Sequence, residues 1–215
     1  MKKQILSLLV VSLLFISCKE KVKEEKNTTE AKTEVQAIKD QAIADANYTA
    51  NNEASVLNWK GFKPTGTHNG TVAIKNGTFE VKEGKLVGGN FVFDMNAITV
   101  LDIPAEDEGN GKLKGHLESG DFFDVAKNPE ATFKITSVDG NLVKGDLTVK
   151  GITKNIEFPA AITTTDSGVQ LSGTAFEIDR TEFDIKYKSE KFFDNLKDKF
   201  INDEFEISFE LNASK

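Results

Sequence analysis

The chain has 215 residues and a formal net charge of −7. Its one arginine, Arg180, and the lack of any basic cluster exclude a nucleic-acid binder, because phosphate backbones are held by grouped Lys and Arg. Its one cysteine, Cys18, excludes both an intramolecular disulfide and a thiolate metal cluster.

The first residues read as an export signal. Lys2 and Lys3 precede an apolar run over residues 5–16, broken only by Ser7 and Ser12, and Ser17-Cys18 stands at the processing position. The run is too short to span a bilayer comfortably. The stretch LFISC, residues 14–18, resembles a bacterial lipoprotein processing box, which implies that Cys18 is lipidated and becomes the first mature residue. Losing Lys2 and Lys3 with residues 1–18 moves the net charge from −7 to −9. Lys19 follows the cysteine where an aspartate would mark inner-membrane retention; by resemblance to Gram-negative sorting this implies the outer membrane, facing the periplasm or the surface.

Residues 19–46 read as a charged, flexible tether, dense in Lys and Glu and nearly without large apolar groups, so burial cannot repay the entropy of ordering them. The folded domain is expected over residues 47–215. A first strand is read in ASVLNWKGF, with Leu57 and Trp59 on one face and Val56, Asn58 and Lys60 on the other. Turns are expected at 63–66, 68–70, 76–77 and 83–84, the Asn76-Gly77 pair being a strong hairpin signal. Residues 86–95 read as a strand with Phe91 and Phe93 on one face, and Gly88 and Gly89 at its start suit a bulge. A polar loop over 102–111 and a short segment over 112–117 follow. Further strands are expected at 132–138, 142–149, 152–162, 169–178, 182–187 and 204–211, with one short helix at 191–200. The last strand alternates Phe205, Ile207, Phe209 and Leu211 with Glu204, Glu206, Ser208 and Glu210, the pattern of a strand wet on one side. The pattern is all-β and antiparallel, and periodicity leaves barrel and sandwich both open.

Four blocks in order, GGNFVFDMNAI at 88–98, GHLESGDFFDVAKNPEATF at 115–133, VKGDLTVKGITKNIEFP at 143–159 and AFEIDRTEFDIKY at 175–187, resemble the YceI-like family of lipid- or polyisoprenoid-binding proteins. The likeness runs over about residues 56–211. It implies an extended, lipocalin-like antiparallel barrel whose interior holds a polyprenyl lipid or quinone, with no catalytic cofactor. The opening block LNWKGFKPTGTHNGTVAI departs from the family's D-x-x-H-S pattern.

Under that resemblance Phe91, Phe93, Phe133, Phe158 and Phe176 are candidates to line the tunnel; the plain alternative is a solid core. Trp59 is either a core plug or a gate, because its indole N–H needs a partner if buried. His116 is read at a strand end, hydrogen-bonding into the DFFD turn, where Asp121 caps and Phe122-Phe123 plug the barrel. Asp179 and Arg180 sit where one strand yields to another. The rigid Arg fork suits a bidentate staple between strands, or else a head group at the tunnel mouth. The two histidines, His68 and His116, have no metal-site spacing, and no nucleophile motif is present, so the reading is a non-enzyme. The expected partners are an apolar lipid and the membrane, through the anchor, with a homodimer left open. The rival function is a solid-core envelope interaction module of the same fold.

Overall fold

The computed structural model describes residues 43–215; the export signal, Cys18 and most of the tether lie outside the described residues. Ten strands run in chain order: β1 (Ala46–Ala50), β2 (Val56–Lys63), β3 (Gly66–Lys82), β4 (Lys85–Asp94), β5 (Glu130–Asp139), β6 (Leu142–Val149), β7 (Ile152–Pro159), β8 (Ala161–Thr164), β9 (Gly168–Asp179) and β10 (Glu204–Ser214). They form one antiparallel sheet ordered β7-β6-β5-β4-β3-β1-β10-β9-β8, with β2 also paired to β3 and β10. β1 and β2 lie end to end in a single lane: on β10, Ser214 pairs with Thr49 and Glu206 with Lys60.

The sheet curls until its ends meet. Only Ala160 separates β7 from β8, and Phe158 of β7 stacks on Phe176 of β9 with ring centroids 4.6 Å apart. The result is an all-β antiparallel barrel of the lipocalin-like kind. Strict alternation places its interior: on β6, Val143, Gly145, Leu147 and Val149 point inward while the residues between them are only half-buried.

That interior is unevenly filled. At one end Tyr48, Phe79 and Phe91 are wholly enclosed; Tyr48 pairs in register with Phe79, whose ring meets Phe91 edge-on at 4.9 Å. The Tyr48 hydroxyl, which could not be buried unpaired without cost, donates to the Thr165 carbonyl at 3.0 Å. Gly77 makes this packing possible. It pairs with Phe91 across the ladder, and a Cβ on it would run into the Phe91 ring.

Four expectations are corrected. Asn76-Gly77 is not a turn: β3 runs straight through it for 17 residues, with a bulge between Ile74 and Asn76, because Phe91 uses the space that a glycine leaves. A strand precedes the expected first one: β1, Ala46–Ala50, is anchored by Tyr48. The α-helix lies at Glu108–Glu118 (α1) rather than at 191–200, where the described chain has only a 3₁₀ turn, Lys197–Lys199. Positive φ at Lys188, Asn195 and Lys197 breaks any longer helix in that segment. α1 carries three poor helix-forming glycines, so local propensity hides it. It is held by the Asp107 cap, which accepts from the Gly109 N–H at 2.7 Å, and by Asn110, whose amide donates to the Val100 and Ile103 carbonyls. Residues 182–187 are likewise no strand. A 3₁₀ turn, Arg180–Phe183, ends at the left-handed Asp184, and the chain then loops.

Candidate ligand-binding site

The other end of the barrel is hollow. A cavity of about 150 Å³ is walled by Trp59 of β2, Phe93 of β4, Phe133 of β5, Phe158 of β7, Phe176 of β9 and Phe209 of β10, among others. The alternation of each strand turns these rings inward. Phe158 is the hub: it lies 5.5 Å from Phe133, 4.6 Å from Phe176 and 5.4 Å from Phe209, centroid to centroid. An apolar cavity of about this volume accepts a benzene-sized group. Trp59, Gly61, Leu117, Phe122 and Ile201 also bound a second, more polar space of about 420 Å³, the mouth, which adjoins the cavity.

Of the phenylalanines expected to line a tunnel, Phe93, Phe133, Phe158 and Phe176 border this cavity, and Trp59 borders it with them. Phe91 does not: it shares a face with Phe93 but belongs to the packed end. Trp59 stands between cavity and mouth and donates its indole N–H to the Thr99 carbonyl at 3.1 Å. Gly70 leaves the room for that bond, since any Cβ there would strike the Thr99 carbonyl. Phe122 and Phe123 both face the cavity, so the double aromatic closes one side of it.

The polar candidates take other positions than expected. His116 is on α1, not a strand end. Its ring makes no hydrogen bond among the described residues and instead packs edge-on against Phe122 at 5.0 Å and Tyr187 at 4.6 Å. Asp121 does not cap the following turn; Ser119 does, through its hydroxyl and backbone. Arg180 is a staple, but not through a bidentate carboxylate pair. Its buried fork donates to the carbonyls of Asn202 (2.9 Å), Ile185 (2.7 Å) and Ile201 (2.9 Å), and only at 3.4 Å to Asp203. It therefore ties the loop after the 3₁₀ turn to the approach of β10, along the cavity wall. Burial pulls the guanidinium pKa down, against the pull of Asp203 and Asp179. Asp179 does not join it. Asp179 caps the 3₁₀ turn through Thr181 and pairs with Lys191 at 2.6 Å.

Reading the sequence alone overlooked a cluster at the mouth. His68 Nδ1 lies 2.8 Å from Asp102 Oδ2, and its Nε2 lies 3.1 Å from Lys63 Nζ. The ammonium can only donate, so the ring accepts at Nε2 and donates from Nδ1 to Asp102. Burial pushes the Asp102 carboxyl up, but the Asn69 N–H and the His68 ring outweigh it and hold it below the usual carboxylate range. The β2–β3 hairpin register was the available signal: Lys63 faces Gly66 and Gly61 faces His68, which sets Lys63 and His68 diagonally on one face.

Among the described residues no group of three His, Cys, Asp or Glu converges on a metal position. The cavity's lining is apolar except for Trp59, Arg180, Asn202 and Glu204, a surface suited to burying an apolar group.

Fold and site together define a small antiparallel barrel with an apolar pocket reached through a polar mouth. Residues 48–213 match the YceI-like domain, and the chain belongs to that family. A UPF0312 protein of Vibrio parahaemolyticus is 41% identical over 83 residues, which are 34% of this chain and 44% of that protein. A UPF0312 protein of Pseudomonas aeruginosa is 33% identical over 84 residues, again 34% and 44%. The chain spans less than half the length of the curated relatives it matches. Two solved structures share the fold: BcnA of Burkholderia cenocepacia (19% identity, TM-score 0.56, covering 77% of this chain and 99% of that one) and a polyisoprenoid-binding domain of Saccharophagus degradans (16%, 0.56, 78% and 97%).

Proposed function

We propose that this protein binds and carries a long apolar molecule, such as a polyprenyl chain or prenyl quinone, at the bacterial cell envelope. The carrying observation is the aromatic-walled cavity around Phe158, which opens to the surface past Trp59. Apolar, branched chains are gripped by ring faces through burial and shape, without directional bonds, at about 0.8 kcal/mol per buried CH₂. At about 150 Å³ the inner cavity takes the tip of such a chain, and the mouth takes the adjoining units. The description of the Saccharophagus degradans domain as polyisoprenoid-binding supports the choice of cargo. Gentle purification, then organic extraction and mass spectrometry, should recover a stoichiometric lipid, and added prenols or quinones should raise the melting temperature. Recovery of no lipid, together with no thermal shift, would favour the rival reading of a solid-core envelope module, to which the packed Tyr48–Phe79–Phe91 end gives some weight.

The same proposal has Cys18 lipidated and residues 19–46 spacing the barrel from the outer membrane, on the strength of the LFISC stretch. Mass spectrometry of the mature N-terminus in the membrane fraction tests it. An unmodified or absent Cys18 sinks the anchor.

A further inference from the structure

We infer that the mouth selects an anionic head group, so that a single-chain amphiphile carrying a carboxylate or phosphate binds more tightly than a neutral lipid with the same tail. This rests on the reading of the cavity as a tail-binding site and adds what holds the other end. The mouth is bordered by three ammonium groups, Lys63, Lys188 and Lys199, against one lining carboxylate, Asp198, and the Asp102 that His68 binds. In a chain of net charge −7, that places a local excess of cations at the opening of the cavity.

Lys63, Lys188 and Lys199 form no ion pair among the described residues, which is equally true of Lys60, Lys134 and Lys154 on the strands; what distinguishes the three is their place around one opening. Lys63 is also held in place. The Asp102–His68 pair presents Nε2 to its ammonium, which aims one N–H inward and leaves two without acceptors among the described residues. Lys188 lies 5.3 Å over the Tyr187 ring, and Tyr187 packs on His116. The three ammonium groups outnumber the carboxylates beside them, Asp198 and the Asp102 bound to His68, and an anion seated among them offsets that excess while gaining charge-assisted hydrogen bonds. A quinone carbonyl or an alcohol gains only the neutral bond. The apolar wall begins directly behind, at Trp59, Leu117 and Phe122, so head and tail sites are contiguous, as one amphiphile requires.

The test is calorimetric titration of the mature chain with dodecanoate, dodecyl phosphate, dodecanol and inorganic phosphate. At about 0.01 M salt, where the Debye length is about 30 Å, both anionic amphiphiles should bind more tightly than the alcohol. The expected advantage is about tenfold, the difference between a charge-assisted and a neutral hydrogen bond. At about 1 M salt, with screening over about 3 Å, that advantage should shrink toward unity. Replacing Lys63→Gln, Lys188→Gln and Lys199→Gln together should bring dodecanoate down to the affinity of dodecanol. Equal, salt-independent binding of dodecanoate and dodecanol would overturn the head-group inference and leave the tail site standing. Inorganic phosphate binding as tightly as dodecyl phosphate would also overturn it, by showing a free-anion site. No binding by any chain would remove the tail site, and the inference with it.

Discussion

Replacing Arg180 with methionine keeps most of the side-chain volume and removes the fork. Three main-chain carbonyls then lose their donor: Asn202, Ile185 and Ile201, now met at 2.9, 2.7 and 2.9 Å. A hydrogen bond to a charged donor contributes about 1.5–3 kcal/mol net. The three do not simply add, because the buried guanidinium carries its own desolvation cost, which methionine escapes. Breaking a buried charged network by deleting one partner costs about 3–5 kcal/mol, and that is the expected loss here. Against a total stability of about 5–15 kcal/mol it is a large fraction. At about 2–4 °C per kcal/mol for a domain of this size, the melting temperature should fall by roughly 6–20 °C. Urea denaturation monitored by circular dichroism should show a lower midpoint with an unchanged slope. Arg180→Lys should recover only part of the loss, since one ammonium cannot reach three carbonyls set in a fork. A drop below about 1 kcal/mol for Arg180→Met would refute the staple, because the freed carbonyls would then have found other partners at little cost.

Two further outcomes rest on the packing and the charges. Gly145→Ala should destabilise by about 1–3 kcal/mol, because its Cβ would run into the Lys134 carbonyl oxygen and the Phe133 ring, whereas Gly111→Ala, in α1 with open space around it, should stabilise by about 0.5–1 kcal/mol. Denaturation midpoints moving in the same direction for both would contradict this account of the glycines. For Asp179, burial pushes the carboxyl pKa up, but Lys191 and Thr181 outweigh it and hold it below the ordinary value. A depressed folded pKa means that its contribution is present above the unfolded pKa of about 3.9 and is lost as pH falls through the folded one. Asp179→Asn should therefore be less stable than the parent at neutral pH and show a shallower acid limb below about pH 4; an acid limb of unchanged steepness would count against it.

Local alternation made much of the barrel legible from the sequence. Phe205, Ile207, Phe209 and Leu211 read as one inward face, and the structure keeps Phe209 and Leu211 buried there. The period of two is a property of the strand itself, so neighbours are not needed to see it. Where the best local signal and the tertiary packing disagreed, packing prevailed. Asn76-Gly77 is a hairpin signal that a long strand overrides, because Phe91 lies across the glycine. The glycine-rich α1 has no helical propensity to announce it and exists through its cap and the grip of Asn110 on the preceding loop. Phe91 and Phe93 are two residues apart on one face of one strand, yet the first fills a packed end and the second borders a cavity. No one-dimensional pattern separates them, since what each ring meets is set by how the sheet curls and by the residues across the ladder. The mouth belongs to the same class. Lys63, His68, His116, Lys188 and Lys199 come from a hairpin, a helix and a loop far apart in the chain, and only closure of the barrel gathers them around one opening.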